Sequence, residues 1–259
     1  MKAKKFKLQF YACVFLLLMG CSSSKKTAVE VTKIMTKFDY APKELSKVGS
    51  SNITIALVSP NYSNDNFRGD LFDNLRKSMA NDFEELLTSK GYKIRGPFNS
   101  KDDMLFNDKE NSDFILVPEI DINFTGINRS FVKKTQAPSF GQRMLNPQTP
   151  ATVSYMFKGE GTLTSSLKLV FQSTRFGEKL WAPAPTVDPT PFKYVGDLKW
   201  AEEDISLFDE VNQDNIVFNA FANALMLQYQ SIFSKVEKHF ELEQMTSVKN
   251  EADKVNKKN

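Results

Sequence analysis

The chain has 259 residues, with 34 Lys plus Arg, 31 Asp plus Glu, 22 Phe, 11 Gly, two Cys and a single His. That is enough apolar material for one domain with a full core, and it is not the composition of a disordered surface protein.

In chain order, Lys2, Lys4, Lys5 and Lys7 precede a mostly apolar run from Leu8 to Met19, which ends Leu18-Met19-Gly20-Cys21. A charged start, a short apolar middle and a small residue before the cut predict a signal peptide over residues 1–20. The run is too short to stay in a bilayer as a spanning helix. Leu18 and Gly20 ahead of Cys21 resemble the lipobox of bacterial lipoproteins. That resemblance implies a lipid-carrying Cys21, an acylated (palmitate-type) new amino terminus, and membrane lipid as the first partner. Ser22 after the cysteine resembles lipoproteins sorted to the outer membrane, without saying which face. The other reading is a plain secretory signal with a chance cysteine. Losing four signal lysines takes the net charge from +3 to −1, so nothing overall argues for nucleic acid. With Cys13 in a leader that is cut off and Cys21 blocked by lipid, one His and no free thiol cannot assemble the common base-plus-nucleophile pairs or a zinc shell. Composition therefore points to a binding or structural protein rather than an enzyme, with no cofactor.

Residues 21–28 read as the lipidated cysteine and a flexible tether, 29–245 as a single α/β domain, and 246–259 as a polar tail that frays. Val29 to Tyr40 is β-prone and predicts a strand. Ile53 to Val58 predicts a central strand covered on both faces, followed by a loop through Asn66. Phe67, Leu71, Leu75, Met79, Phe83 and Leu86/Leu87 recur at steps of three or four, giving a core-facing helix closed by Gly91. Tyr92 to Arg95 predicts a short strand stopped by Gly96-Pro97. Ser100-Lys101-Asp102-Asp103 carries a capping pattern for a short helix through Phe106. Phe114 to Phe124 predicts a strand that starts buried on both faces, with Pro118 at a bulge or an edge. Glu119 and Asp121 share its other face, but no partner acid, base or ligand accompanies them.

The order strand, helix, strand, small helix, strand carries a resemblance. Phe38-Asp39-Tyr40-Ala41-Pro42, then Ser89-Lys90-Gly91-Tyr92-Lys93-Ile94, then Ser100-Lys101-Asp102-Asp103 resemble the neuraminyllactose-binding haemagglutinin family. These lipoproteins are also called flagellar-sheath adhesins. The likeness runs over most of the mature chain at low identity.

Residues 126–150 predict a loop or loose hairpin, with no acid between Asp121 and Glu160. The family has a basic run here, Lys-Arg-Thr-Ile-Gln-Lys-Lys, to which sialic acid binding is ascribed. This chain has Asn128-Arg129-Ser130-Phe131-Val132-Lys133-Lys134. The resemblance makes Asn128, Arg129, Ser130, Phe131, Lys133 and Lys134 candidate glycan ligands. A guanidinium suits a sialic carboxylate, Ser and Asn suit hydroxyls, and Phe131 suits a sugar face. Strand alternation would instead set Arg129, Phe131 and Lys133 opposite Ser130, Val132 and Lys134, splitting the basic residues. On that reading the run is a positively charged β-edge kept soluble.

Ala151 to Gly159 and Thr162 to Gln172 predict two strands, joined by a tight turn at Gly159-Glu160-Gly161. Arg175 to Glu178 predicts another turn into Lys179 to Ala182. Pro183, Pro185, Pro189 and Pro191 predict an irregular excursion over 183–210. Asp214 caps a last helix carrying Phe218, Phe221, Leu225, Tyr229, Phe233 and Phe240, whose end near Lys235 to Met245 projects. His239 is expected in solvent.

The expected fold is α/β (α+β): a mixed sheet with long antiparallel hairpins, packed by two long helices. Two functions remain open. One is an adhesin-like outer-membrane lipoprotein binding sialylated glycans at the cell surface. The other is a periplasm-facing accessory that docks on an envelope protein of the secretion or cell-wall machinery.

Overall fold

The computed structural model describes residues 31–42, 51–64, 67–197, 211–212 and 214–257, and the signal and tether lie outside them. The chain divides into two compact units, Met1–Thr32 and Lys33–Asn259. All the elements below belong to the second.

A mixed seven-stranded sheet runs β3-β1-β4-β5-β6, with β2 added to β4 and β7 to β5. Its strands are β1 (Thr54–Val58), β2 (Asn61–Tyr62), β3 (Lys93–Phe98), β4 (Phe114–Gln136), β5 (Thr152–Gln172), β6 (Lys179–Trp181) and β7 (Thr190–Asp197). The helices are α1 (Asp70–Ser89), α2 (Phe106–Glu110), α3 (Phe140–Leu145), α4 (Asn215–Val236) and α5 (Leu242–Lys257). The fold class is the expected one.

The apolar face of the sheet explains the two-layer build. Ile55 and Leu57 of β1, Phe114, Leu116, Ile120 and Ile122 of β4, and Leu163, Leu167, Leu169 and Phe171 of β5 are all buried in one core. Alternation along each strand turns these side chains to the same face. The stripes of α1 and α4 cover them, and the two helices meet each other through Phe83 and Phe233, 5.1 Å between ring centres. A smaller cluster of Ala56, Val58, Met104, Ile115, Val117 and Val170 sits on the opposite face. Doubly covered β1 and the first half of β4 thus read as continuous apolar runs.

Several expectations are corrected. Residues 33–42 form no strand; they lie as a strap against α1 and α4, because helix side chains take their backbone groups. Ile34 N donates to Asn219 Oδ1 at 2.8 Å, and Tyr40 N donates to Asp82 Oδ2 at 2.8 Å. β3 continues through Gly96-Pro97 to Phe98, and its register against β1 shifts there to accommodate the pair. Ser100 and Asp103 do exchange capping bonds, yet they close a turn, and α2 starts only at Phe106. Pro118 sits inside β4 opposite Leu169 of β5, and on the other edge it falls between the stretches paired with β1 and β2, where no strand asks for its missing N–H.

The largest difference lies in the middle of the chain. β4 does not end at Phe124 but runs 23 residues to Gln136, and β5 answers it over 21 residues without a turn at Gly159-Glu160-Gly161. The two pair from Ile115–Gln172 to Gln136–Thr152, making one long arm. The glycines serve close approach: a Cβ on Gly159 would fall 2.0 Å from Tyr194 Cζ. Tyr194 of β7 pairs across from Gly159, so its ring fills the room that glycine leaves, and Phe192 pairs across from Gly161. The expected irregular excursion holds over 183–189, which makes a single bridge, Ser166 to Thr186, but it ends at Thr190, where β7 begins with Pro191 opposite Thr162; residues 198–210 lie outside the described ones.

The C-terminal end is also corrected. Asp214 does cap α4, its carboxylate accepting from Ile216 N and Val217 N at 2.7 and 3.2 Å. The helix then breaks in a tight turn, Glu237–Phe240, rather than projecting. Buried Lys90 holds that turn by ion pairs to Glu237 and Glu241, while the Tyr92 hydroxyl donates to Phe240 O at 2.8 Å. The polar stretch from Thr246 belongs to α5, whose Met245, Val248, Ala252 and Val255 are buried. His239 lies against Trp181 at 5.6 Å, and burial pushes its pKa below the ordinary value.

Candidate functional site

Among the described residues, two clefts stand out by volume. The larger, about 890 Å³, lies where β4 begins and is lined by Phe106, Lys109, Asp113, Arg175, Asp253 and Asn256 among others. Its charges are mixed, and Asp113 is already committed to Thr54 N and to the Lys249 ammonium. The second, about 480 Å³, lies on the arm and is lined by Ser130, Lys158, Gly159, Glu160, Lys193, Tyr194 and Val195. It spans three strands, and it contains one residue of the predicted basic run.

A β-bulge builds this cleft. Thr125 pairs with Thr162 and Asn128 with Glu160, so two β4 residues, Gly126 and Ile127, stand against Gly161 alone. A one-residue insertion exchanges the faces of every residue beyond it. Before the bulge, Ile120 and Ile122 occupy the helix-covered face; after it, the same parity lies on the opposite, open face. Ser130 therefore joins a row with Lys158 and Val195, and Asn128 joins one with Glu160 and Lys193. Arg129, Phe131 and Lys133 take the positions across from Gly159, Phe157 and Tyr155, on the other side.

Of the six predicted glycan residues, Ser130 has a described side chain, and it is exposed. The side chains of Asn128, Arg129, Phe131, Lys133 and Lys134 lie outside the described ones, as does Cys21. The backbone register alternates the positions of the run between the two faces.

Around Ser130 the chemistry is cationic and hydroxylic. Lys193 faces Glu160 at 3.4 Å, both well exposed, so the pair is weak and open to exchange. Lys158 is exposed and has no acid paired with it among the described residues. A cation in water next to a hydroxyl and a flat, Gly-lined wall can hold a carboxylate and neighbouring hydroxyls. Glu119 and Asp121, the other carboxylates considered, are structural: Glu119 pairs with Lys168 at 2.5 Å, and Asp121 accepts from Ser63 Oγ at 2.7 Å.

Sequence reasoning missed Lys158, Lys193 and Glu160. They come from β5 and β7, and their juxtaposition depends on the register of a strand expected to be irregular. The lack of any acid between Asp121 and Glu160 was the one signal pointing to the right arm.

No family model and no curated protein matches the chain. Among solved structures it is similar to a neuraminyllactose-binding hemagglutinin homolog from Helicobacter pylori. The TM-score is 0.56 at 12% identity, over 85% of this chain and 100% of that one. That likeness shows a shared fold. A Xanthomonas campestris protein (TM-score 0.35, 10% identity, 85% and 96% covered) and a Neisseria meningitidis lipoprotein (0.25, 14%, 66% and 99%) are more distant, and no argument rests on them.

Proposed function

We propose that the chain is a lipid-anchored outer-membrane protein that binds sialylated glycans in the arm cleft and catalyses no reaction. The observation that carries this is the cleft itself: the bulge brings Ser130 beside Lys158 on an open sheet face, with Lys193 one strand away. Its size suits a monosaccharide, and its charge suits the carboxylate that distinguishes sialic acid from neutral sugars. The shared fold supports the reading, since the Helicobacter pylori homolog is named for neuraminyllactose binding. The lipobox at Leu18 to Cys21 supports the anchor.

Calorimetric titration with sialyllactose and with lactose tests it. Sialyllactose is expected to bind and lactose not to. Lys158→Ala should weaken sialyllactose binding about tenfold, the scale of one charge-assisted contact. No binding by the unaltered chain, or equal binding of lactose, removes the glycan reading.

A further inference from the structure

The tip of the arm carries a different feature. α3 is a single short helix between the ends of β4 and β5, and Phe140, Met144 and Leu145 on it are 79%, 71% and 90% exposed. Phe140 and Met144 stand one turn apart, with Leu145 next to the latter. This exposure is built rather than accidental. Ser139 and Gln142 form a reciprocal capping box, and Asn146 accepts from Thr149 N at 3.0 Å and from Thr149 Oγ1 at 2.7 Å. The tip is thus ordered by its own hydrogen bonds, while three large apolar side chains stay in water.

Charge identifies what would cover them. From Ile122 to Gly159 the chain has Arg129, Lys133, Lys134, Arg143 and Lys158 and no Asp or Glu. An apolar point on a ribbon of one sign matches a surface that is negative outside and apolar beneath, which describes a bilayer with anionic headgroups. A protein groove is the poorer fit. Helix-in-groove recognition reads anchors over two or more turns, and six residues provide little more than one.

We infer that the arm tip, with Phe140, Met144 and Leu145, inserts into the interface of an anionic lipid bilayer, with Arg143 of the same helix on its headgroups. This does not depend on the glycan reading, which is tested in solution without vesicles.

The test places a polarity-sensitive dye on Met144→Cys in the full chain, with Cys13→Ser and Cys21→Ser leaving one thiol. Vesicles of phosphatidylcholine alone are compared with a 3:1 mixture of phosphatidylcholine and phosphatidylglycerol. The leader can hold the chain on either vesicle, so the readout is taken at the tip. The expected result is a blue shift with a several-fold rise in emission on anionic vesicles only, reversed by a lipid-borne quencher. Adding Phe140→Ser and Leu145→Ser should abolish it while leaving the melting temperature unchanged. No shift on anionic vesicles, an equal shift on neutral ones, or persistence in the serine variant would each overturn the inference.

Discussion

β4 and β5 are the same two strands at the base of the sheet and along the arm, yet they are held in different ways. At the base, Phe114, Leu116, Leu169 and Phe171 are fully buried between sheet and helices. Along the arm, backbone pairing continues; among the described residues β7 is the further strand there, reaching Met156 of β5 and packing Phe192 against Phe221 of α4 at 6.0 Å. At the tip, every residue from Phe140 to Asn146 is exposed. A two-stranded ribbon is marginal by itself, so the arm's order is borrowed from the base through its register and from β7 through the Tyr194 ring over Gly159. The base spends its sequence on packing; the arm leaves its open face free for chemistry.

This comparison can be broken first at the base. Phe171 is fully buried against Phe114 at 5.7 Å and Trp181 at 5.2 Å. Phe171→Ala should cost about 3–5 kcal/mol in chemical denaturation, since a ring-sized cavity cannot collapse between sheet and helices.

Asp82 tests the strap that crosses the helices. It is 6% exposed and accepts from Tyr40 N at 2.8 Å and from the Tyr229 hydroxyl at 2.5 Å. Asp82→Ala leaves both donors unpaired and should cost about 2–4 kcal/mol. Burial lifts the Asp82 pKa above the usual carboxylate value, against the two hydrogen bonds. The folded state then holds the proton more tightly than the unfolded chain does. Its contribution is full below the unfolded pKa and is lost as pH rises through the folded one. Asp82→Asn should therefore gain on the parent as pH rises above the ordinary Asp range. A stability difference that does not move with pH would show that the carboxylate is not strained by burial.

The arm should respond less. Gly159→Ala drives a methyl into Tyr194 and is expected to cost about 1–3 kcal/mol, a typical overpacking penalty. Combining it with Tyr194→Ala should recover part of that loss in a double-mutant cycle. Additive costs would mean that the glycine is not there for the ring.

Much of the base was legible in the sequence. The stripe of α1, the alternation of Phe114 to Ile122 and the Asp214 cap are local patterns, each confined to one element. The arm was not, because Gly159-Glu160-Gly161 has the same composition whether it turns the chain or admits a ring. Only Tyr194, 35 residues later, distinguishes the two. The strap looked like a strand because β-branched residues favour extended backbone, and nothing local says whether a strand or a helix side chain will take its hydrogen bonds. α5 could have been found: Met245, Val248, Ala252 and Val255 step by three, four and three through an otherwise polar stretch. The basic run was visible, but the bulge at Thr125–Asn128, which decides which residues share a face with Lys158, leaves no mark that sequence spacing reveals.

Hydrogen exchange on the full chain, with and without saturating sialyllactose, tests the division of roles between base and arm most directly. The expected result is slowed exchange on the arm around 128–136, 154–160 and 193–195, with the β1 and α4 amides unchanged. Slowing confined to the base or to the cleft around Asp113, or none anywhere under saturating ligand, would contradict it.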